Sequence, residues 1–304
     1  MPDTLLAADY IIPPLAGNRT NFMDEGHMKN PAFRTNMGAN PGFGAGQALT
    51  QTFPLLFFFA LFLFVSSAGA APSLTPRATG LLKSARTRIA GELADKGFSL
   101  GQPVFMRIFK IPGELEVWLK KDNSFHLFKK YPICCYSGYP GPKLMEGDWQ
   151  SPEGFYTVSA RQMNPNSSYH LAFNVGYPNS FDRARNRTGS SIMVHGECSS
   201  RGCFAMGNRQ MEEIYLLAHS ALSAGQDHFD LHIFPFRLTA RNLFKFRSSP
   251  WIGFWKKLRA GFDYFELNHR PPTVAVVDGN YIIEAQSLTV AMAPLQTKSH
   301  REKE

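Results

Sequence analysis

The chain is short of several things, and each shortage narrows what it can be. It has only four cysteines, Cys134, Cys135, Cys198 and Cys203, too few for a disulfide-built scaffold. None of them stand in the Cys-x2-Cys spacing of a zinc knuckle. No apolar run reaches the roughly 20 residues that a membrane-spanning helix needs. There is no internal repeat and no nucleic-acid-binding motif, and the Lys and Arg residues are scattered rather than striped. The formal net charge of +8 therefore reads as a solvated basic surface. Charged residues make up 18% of the chain against 44% hydrophobic, a balance that suits a folded domain with a real core and argues against disorder.

What is present begins with an address. Phe53 to Val65 reads FPLLFFFALFLFV, about 13 apolar residues, followed by Ser66-Ser67-Ala68-Gly69-Ala70-Ala71. This length, followed by small residues, fits a signal-peptide core with cleavage after Ala70. Residues 1–52 are long for a leader. Met28, followed by Lys29 and Arg34, supplies a normal positive start, so the expected leader is 1–70 with its true beginning at Met28. An uncleaved anchor is the alternative. Either way the bulk of the chain is expected outside the cytoplasm, in a periplasm where disulfides can form.

The rest divides into a linker and helix over 71–102, a main domain over 103–237, and a C-terminal helix, hairpin and polar tail over 238–304. Apolar residues at helical spacing predict helices over Leu81–Lys96, Met211–Leu222 and Trp251–Leu267. Val104–Phe109, Leu115–Leu119 and about 125–135 read as a β-meander. Further strands are expected at Phe155–Val158, Tyr169–Val175, Ser191–His195 and Leu231–Phe236, the last broken by Pro235. Residues 136–154 lack periodicity and read as a loop, in which Asp148 and Glu153 fix the chain. Asp278-Gly279 predicts a hairpin between Val274–Val277 and Tyr281–Ile283.

The chemistry concentrates in His195-Gly196-Glu197-Cys198-Ser199-Ser200-Arg201-Gly202-Cys203. A thiol becomes a useful nucleophile when a nearby imidazole can take its proton. Gly202 permits a backbone geometry that a Cβ forbids, and would help aim amides at one point, as an oxyanion hole requires. From the residues alone four arrangements stay open. These are a nucleophile with its base, a buried His beside an inert Cys, a Cys3His zinc site from His195, Cys198, Cys203 and Cys134 or Cys135, and a disulfide from Cys198 to Cys134 or Cys135.

The segment resembles the YkuD-type L,D-transpeptidase domain, which carries His-Gly and then Ser-His-Gly-Cys. Here Arg201 replaces the central His and the intervening gap is shorter. Both departures match a branch of that family with the pattern HG-x-C-x-S-x-GC-x-AM, met by His195 through Met206. RIFK (107–110), ELEVWLK (114–120), YPIC (131–134), GPKL-x-EGD (141–148), SPEGFY (151–156), QMNPNSSYH (162–170) and HIFPFR (232–237) fit the same branch in order, over about 103–270. The resemblance implies a mainly β (α+β) fold, a curved β-sandwich or mixed barrel with flanking helices. It implies Cys203 as nucleophile and His195 as general acid/base, with Ser200, Arg201 and Gly202 shaping the turn or oxyanion hole. Tyr169, His170 and Gly196 are candidate substrate contacts.

The implied partners are peptidoglycan stem peptides bearing diaminopimelate, through a thioester and with no cofactor, metal or nucleic acid. The branch is also associated with cutting a peptidoglycan-linked lipoprotein free, so hydrolase or amidase action stands beside transpeptidation. A non-catalytic wall-binding module with a structural Cys-rich turn is the remaining alternative. The reactive pair is then either a neutral thiol and imidazole or a thiolate and imidazolium, and an imidazolium beside Cys203 would keep the thiol reactive well below its ordinary range of about 8.5.

Overall fold

The computed structural model describes residues 73–284. The apolar run, the cleavage site, the start at Met28 and the polar tail lie outside the described residues, among which no helix is long and apolar enough to cross a membrane.

The first helix, α1, spans Pro76–Asp95, five residues earlier than the apolar spacing predicts. Thr75 caps it by accepting the Ala78 N–H, and Pro76 occupies the first turn, where its missing N–H costs nothing. Ala78, Leu82, Ala85, Ile89 and Leu93 are buried at helical spacing. The expected meander follows as β1 (Val104–Ile111), β2 (Glu114–Lys121) and β3 (Ser124–Pro132), paired antiparallel.

These strands belong to sheet A, a five-stranded sheet in the order β3-β2-β1-β10-β5, where β5 is Gly154–Ser159 and β10 is His228–Phe236. β1 pairs parallel with β10, and seven of its eight residues are buried because it lies inside the sheet. Pro235 does not break β10. The pairing with β5 ends at Ile233 opposite Gly154, so beyond it the strand is an edge on one side, where a missing N–H is tolerated.

Sheet B has the order β4-β9-β8-β7-β6, with β4 Cys135–Tyr136, β6 Met163–Asn164, β7 Ala172–Asn174, β8 Met193–His195 and β9 Phe204–Ala205. Its strands are two or three residues long, shorter than the expected Tyr169–Val175 and Ser191–His195. The helix α3, Asn208–Ser223, packs with α1 between the sheets, in a core that includes Leu231, Ile233, Phe173, Val194, Phe204, Ile214 and Leu217.

On the other face of sheet A, Phe109, Phe155, Phe234 and Phe236 pack against Trp255, Leu258 and Phe262 of α5 (Ile252–Asn268). Two short helices, α2 (Ser180–Arg183) and α4 (Ala240–Lys245), escape the periodicity reading because neither completes two full turns. The hairpin forms as expected, β11 Thr273–Val277 against β12 Asn280–Glu284, with Asp278 and Gly279 both at positive φ. The fold is α+β with open mixed sheets: both five-stranded sheets have free ends in their strand order, so the barrel form of the expectation does not close.

Candidate active site

The parallel pair β8 and β9 builds the site. Val194 pairs with Phe204, and both side chains are fully buried in the core beside α3. One residue on, His195 pairs with Ala205. Side chains alternate along a strand, so His195, Ala205 and Cys203 share the face turned away from that core. Cys203 Sγ accepts the Met193 N–H at 3.4 Å, which places the thiol beside the start of the strand that ends in His195.

His195 is nearly buried, and Nδ1 lies 2.6 Å from the Gly196 carbonyl oxygen. A carbonyl only accepts, so the proton of neutral His195 sits on Nδ1 and the lone pair on Nε2. The exposed ring of Tyr169 packs on the imidazole, with centroids 4.8 Å apart. Burial pushes the His195 pKa down, against smaller upward pulls from the Gly196 carbonyl and the Glu197 charge. Burial pushes the Cys203 thiol up, only partly offset by the Met193 N–H and the charge of Lys143. Both shifts favour neutral forms. Of the two expected arrangements, a neutral thiol and imidazole or a thiolate held by imidazolium, burial leans towards the first.

The turn ahead of Cys203 is pinned from several sides. Ser200 Oγ donates to the Cys203 carbonyl at 2.8 Å, lies 2.8 Å from Ser137 Oγ, and accepts the Gly202 N–H at 3.1 Å. Ser151 Oγ also donates to the Cys203 carbonyl, at 3.3 Å. Gly202 adopts φ +120, and a Cβ there would meet Ile192 Cδ1 at 3.2 Å and the Gln150 carbonyl oxygen at 3.3 Å. The Gly202 amide is engaged by Ser200, which ties Gly202 into the turn. Arg201 is exposed, its guanidinium 5.4 Å from the centre of the Trp149 ring. The cation whose charge acts on Cys203 is the buried Lys143, paired with Asp148 at 2.5 Å.

Cys134 and Cys198 form a disulfide, with Cα atoms 5.5 Å apart, that ties the turn to the residue before β4. Two ligands of the zinc alternative are thus covalently joined to each other, and Cys135 and Cys203 remain free thiols. His170 is committed elsewhere. Its Nε2 lies 2.9 Å from Glu212 and its Nδ1 3.1 Å from Arg77, so it links α1 to α3. Gly196 is buried, and its N–H lies 3.0 Å from the carbonyl oxygens of both Tyr169 and Leu171. Tyr169 alone of those three presents an exposed side chain at the site.

The residues that the Cys-rich motif did not reveal lie in the 136–154 loop and in β1. Lys110 and Glu153 form a fully buried ion pair at 3.1 Å. Lys110 also donates to the carbonyls of Gly141 and Ser151, while Glu153 accepts from the Gly141 N–H and the Trp255 indole. Asp148 accepts the Leu144, Met145 and Gln150 N–H groups. These contacts hold Ser151 and Lys143 in place. The available signal was the run of charged and small residues in GPKL-x-EGD and SPEGFY, in a loop otherwise without pattern.

The family model of the L,D-transpeptidase catalytic domain (YkuD) matches residues 113–221. The protein YafK of Escherichia coli strain K12, named as an L,D-transpeptidase, is 41% identical over 204 residues, covering 67% of this chain and 83% of YafK. Among solved structures, a point mutant of the helical cell shape determining protein Pgp2 from Campylobacter jejuni has a TM-score of 0.38 and 22% identity, covering 61% of this chain and 64% of that one. Bd1075 of Bdellovibrio bacteriovorus has a TM-score of 0.31 and 18% identity, covering 62% and 82%. On the identity and coverage of YafK, the chain belongs to the YkuD-type L,D-transpeptidase family.

Proposed function

We propose that the protein is an exported, peptidoglycan-modifying cysteine enzyme, an L,D-transpeptidase acting on diaminopimelate-containing stem peptides through a thioester on Cys203. The observation that carries this reading is the shared face of His195 and Cys203, with the His195 proton on Nδ1 donated to the Gly196 carbonyl so that Nε2 is the basic atom. As Sγ approaches the substrate carbonyl, Nε2 takes the thiol proton. Charge then develops only as the S–C bond forms, which suits a pair that is neutral at rest. The imidazolium returns the proton to the departing amine, leaving the acyl group on sulfur. A second amine, deprotonated by the same nitrogen, attacks the thioester and restores the thiol. Water in place of that amine makes the enzyme a hydrolase, and releases stems or a peptidoglycan-linked lipoprotein. Ser200, Ser151 and the Cys134–Cys198 disulfide hold the nucleophile in place between these steps. The disulfide and the apolar Phe53–Val65 run both support an oxidising compartment outside the cytoplasm, the periplasm.

Mass spectrometry of isolated peptidoglycan after incubation with the protein tests the proposal. New cross-links are expected with the wild type and none with Cys203→Ala, which removes the only thioester-forming group at little cost in volume. Released stems or lipoprotein remnants would assign the hydrolase outcome instead. Equal products from Cys203→Ala would sink the cysteine mechanism.

A further inference from the structure

A cavity of about 860 Å³ lies on the α5 side of sheet A, walled by β5 and β10, the β11–β12 hairpin, α2 and the segment 270–272. It shares none of its lining with the Cys203 turn. Phe229, Leu231 and Ile233 point into the α3 core, so the alternate residues of β10, namely His228, Asp230 and His232, face the other way and line this cavity. Lys120, Arg183 and Arg270 line it as well.

Several of these groups have capacity that the protein itself does not use. Among the described residues the half-buried Asp230 carboxylate has no hydrogen-bond or ion-pair partner, and burial raises its pKa to about 6 against a smaller pull from the charge of His228. His232 is fully buried, packed edge-on between Phe105 and Phe155 with ring centroids 4.8 Å away on each side, and its Nδ1 has no partner. Arg270 spends its Nε on the Asn123 carbonyl, which leaves its terminal nitrogens available. Lys120 has no ion-pair partner among the described residues. A partly desolvated carboxylate without a partner is costly, and a ligand that supplies an N–H donor reduces that cost.

The charges also select the ligand. An anion alone would meet Asp230, and a cation alone would meet three Lys and Arg side chains. A group carrying both charges satisfies both sets. The volume falls in the range of small-molecule sites, about 300–1,000 Å³, and exceeds what one amino acid fills. Phe155, Val274 and Tyr281 add apolar wall for the remainder. We propose that this cavity binds a short peptide through its two free termini, its ammonium on Asp230 and its carboxylate on Arg270 and Lys120.

Saturation-transfer NMR on the full chain, with the dipeptides L-Ala-L-Ala and D-Ala-D-Ala as probes, tests this. At least one is expected to bind. N-acetylation, which removes the ammonium, and C-amidation, which removes the carboxylate, should each weaken binding by about tenfold or more, as expected for a lost charge-assisted hydrogen bond. Asp230→Asn and Arg270→Ala should lose binding, while Cys203→Ala should bind like the wild type, so that this site and the proposed activity fail separately. The blocked dipeptides put the same question to the unaltered protein if a variant does not fold. No binding of either dipeptide up to about 10 mM, equal binding of the blocked forms, or complete displacement by sulfate alone would overturn the proposal, the last by reducing the site to one for simple anions.

Discussion

Sheet A and sheet B each bury a histidine, and they hold it in opposite ways. His232 lies in β10, within a sheet whose strands β1, β2, β3 and β10 run eight or nine residues and whose register follows continuous apolar packing. Its ring sits between phenylalanines with Nδ1 unpaired, and burial with the nearby Arg107 charge pushes its pKa down to about 3. His195 lies in β8, where two- and three-residue strands are held by side-chain hydroxyls, the turn through Gly202 and a disulfide. Its Nδ1 is hydrogen-bonded, which fixes the tautomer. Apolar packing holds a histidine neutral but says nothing about which nitrogen is basic. A polar restraint supplies that second piece of information, and general-base chemistry requires it.

The comparison can be broken first at His232. Its folded pKa near 3 lies below the ordinary value of 6.5, so the unfolded chain takes the proton first. Stability is then lost as pH falls from about 6.5 towards 3, by about 5 kcal/mol over the whole window. Asp230 acts in the opposite sense, because its raised pKa makes the folded state take the proton first as pH falls from about 6 towards 3.8. His232→Phe removes only the histidine contribution. Urea unfolding at pH 7 and pH 4 should show the variant gaining about 3 kcal/mol on the wild type between the two. A gap that does not change with pH would mean that His232 does not titrate this way.

Glu153→Ala leaves the buried Lys110 ammonium without its counter-ion, and should cost about 3–5 kcal/mol in a denaturant titration. It should also slow turnover, since the Lys110 contacts hold Ser151 and Gly141. A loss below about 1 kcal/mol would show that the loop is held in place by other contacts.

His195→Gln should lower turnover by about 10²-fold or more, some 2.7 kcal/mol in the barrier. In the wild type, kcat/KM should fall with acid only as pH drops through a histidine pKa below 6.5, because the neutral ring is the base. Alkylation of Cys203 should rise only above the ordinary thiol range, with nearly the same profile in His195→Gln, because burial raises the thiol in both. Wild-type alkylation that persists well below that range and collapses in His195→Gln would restore the ion pair.

The smallest effect is expected at Arg201. Arg201→Ala removes an exposed cation–π contact with Trp149, worth about 0.5–1 kcal/mol, and should leave Cys203 alkylation unchanged. Lys143→Met, by contrast, should shift that alkylation profile further towards alkaline pH.

Much of sheet A was legible in the chain. The alternation of Leu115, Val117 and Leu119, the Asp278-Gly279 turn and the apolar faces of α1 and α3 all carry a period, and a period is a local property. The His195–Cys203 stretch was legible too, through the order of its residues. By itself the sequence determined the class of fold, the residues of the Cys-rich turn and the loop-fixing character of Asp148 and Glu153. The tertiary structure alone decided the parallel pairings of β1 with β10 and of β8 with β9. It alone chose Cys134 over Cys135 as the disulfide partner, turned Arg201 outward in favour of Lys143, and engaged His170 with Glu212. Each of those outcomes depends on how far a side chain is buried and which distant backbone lies beside it. Desolvation and long-range register leave no mark in the spacing of neighbouring residues.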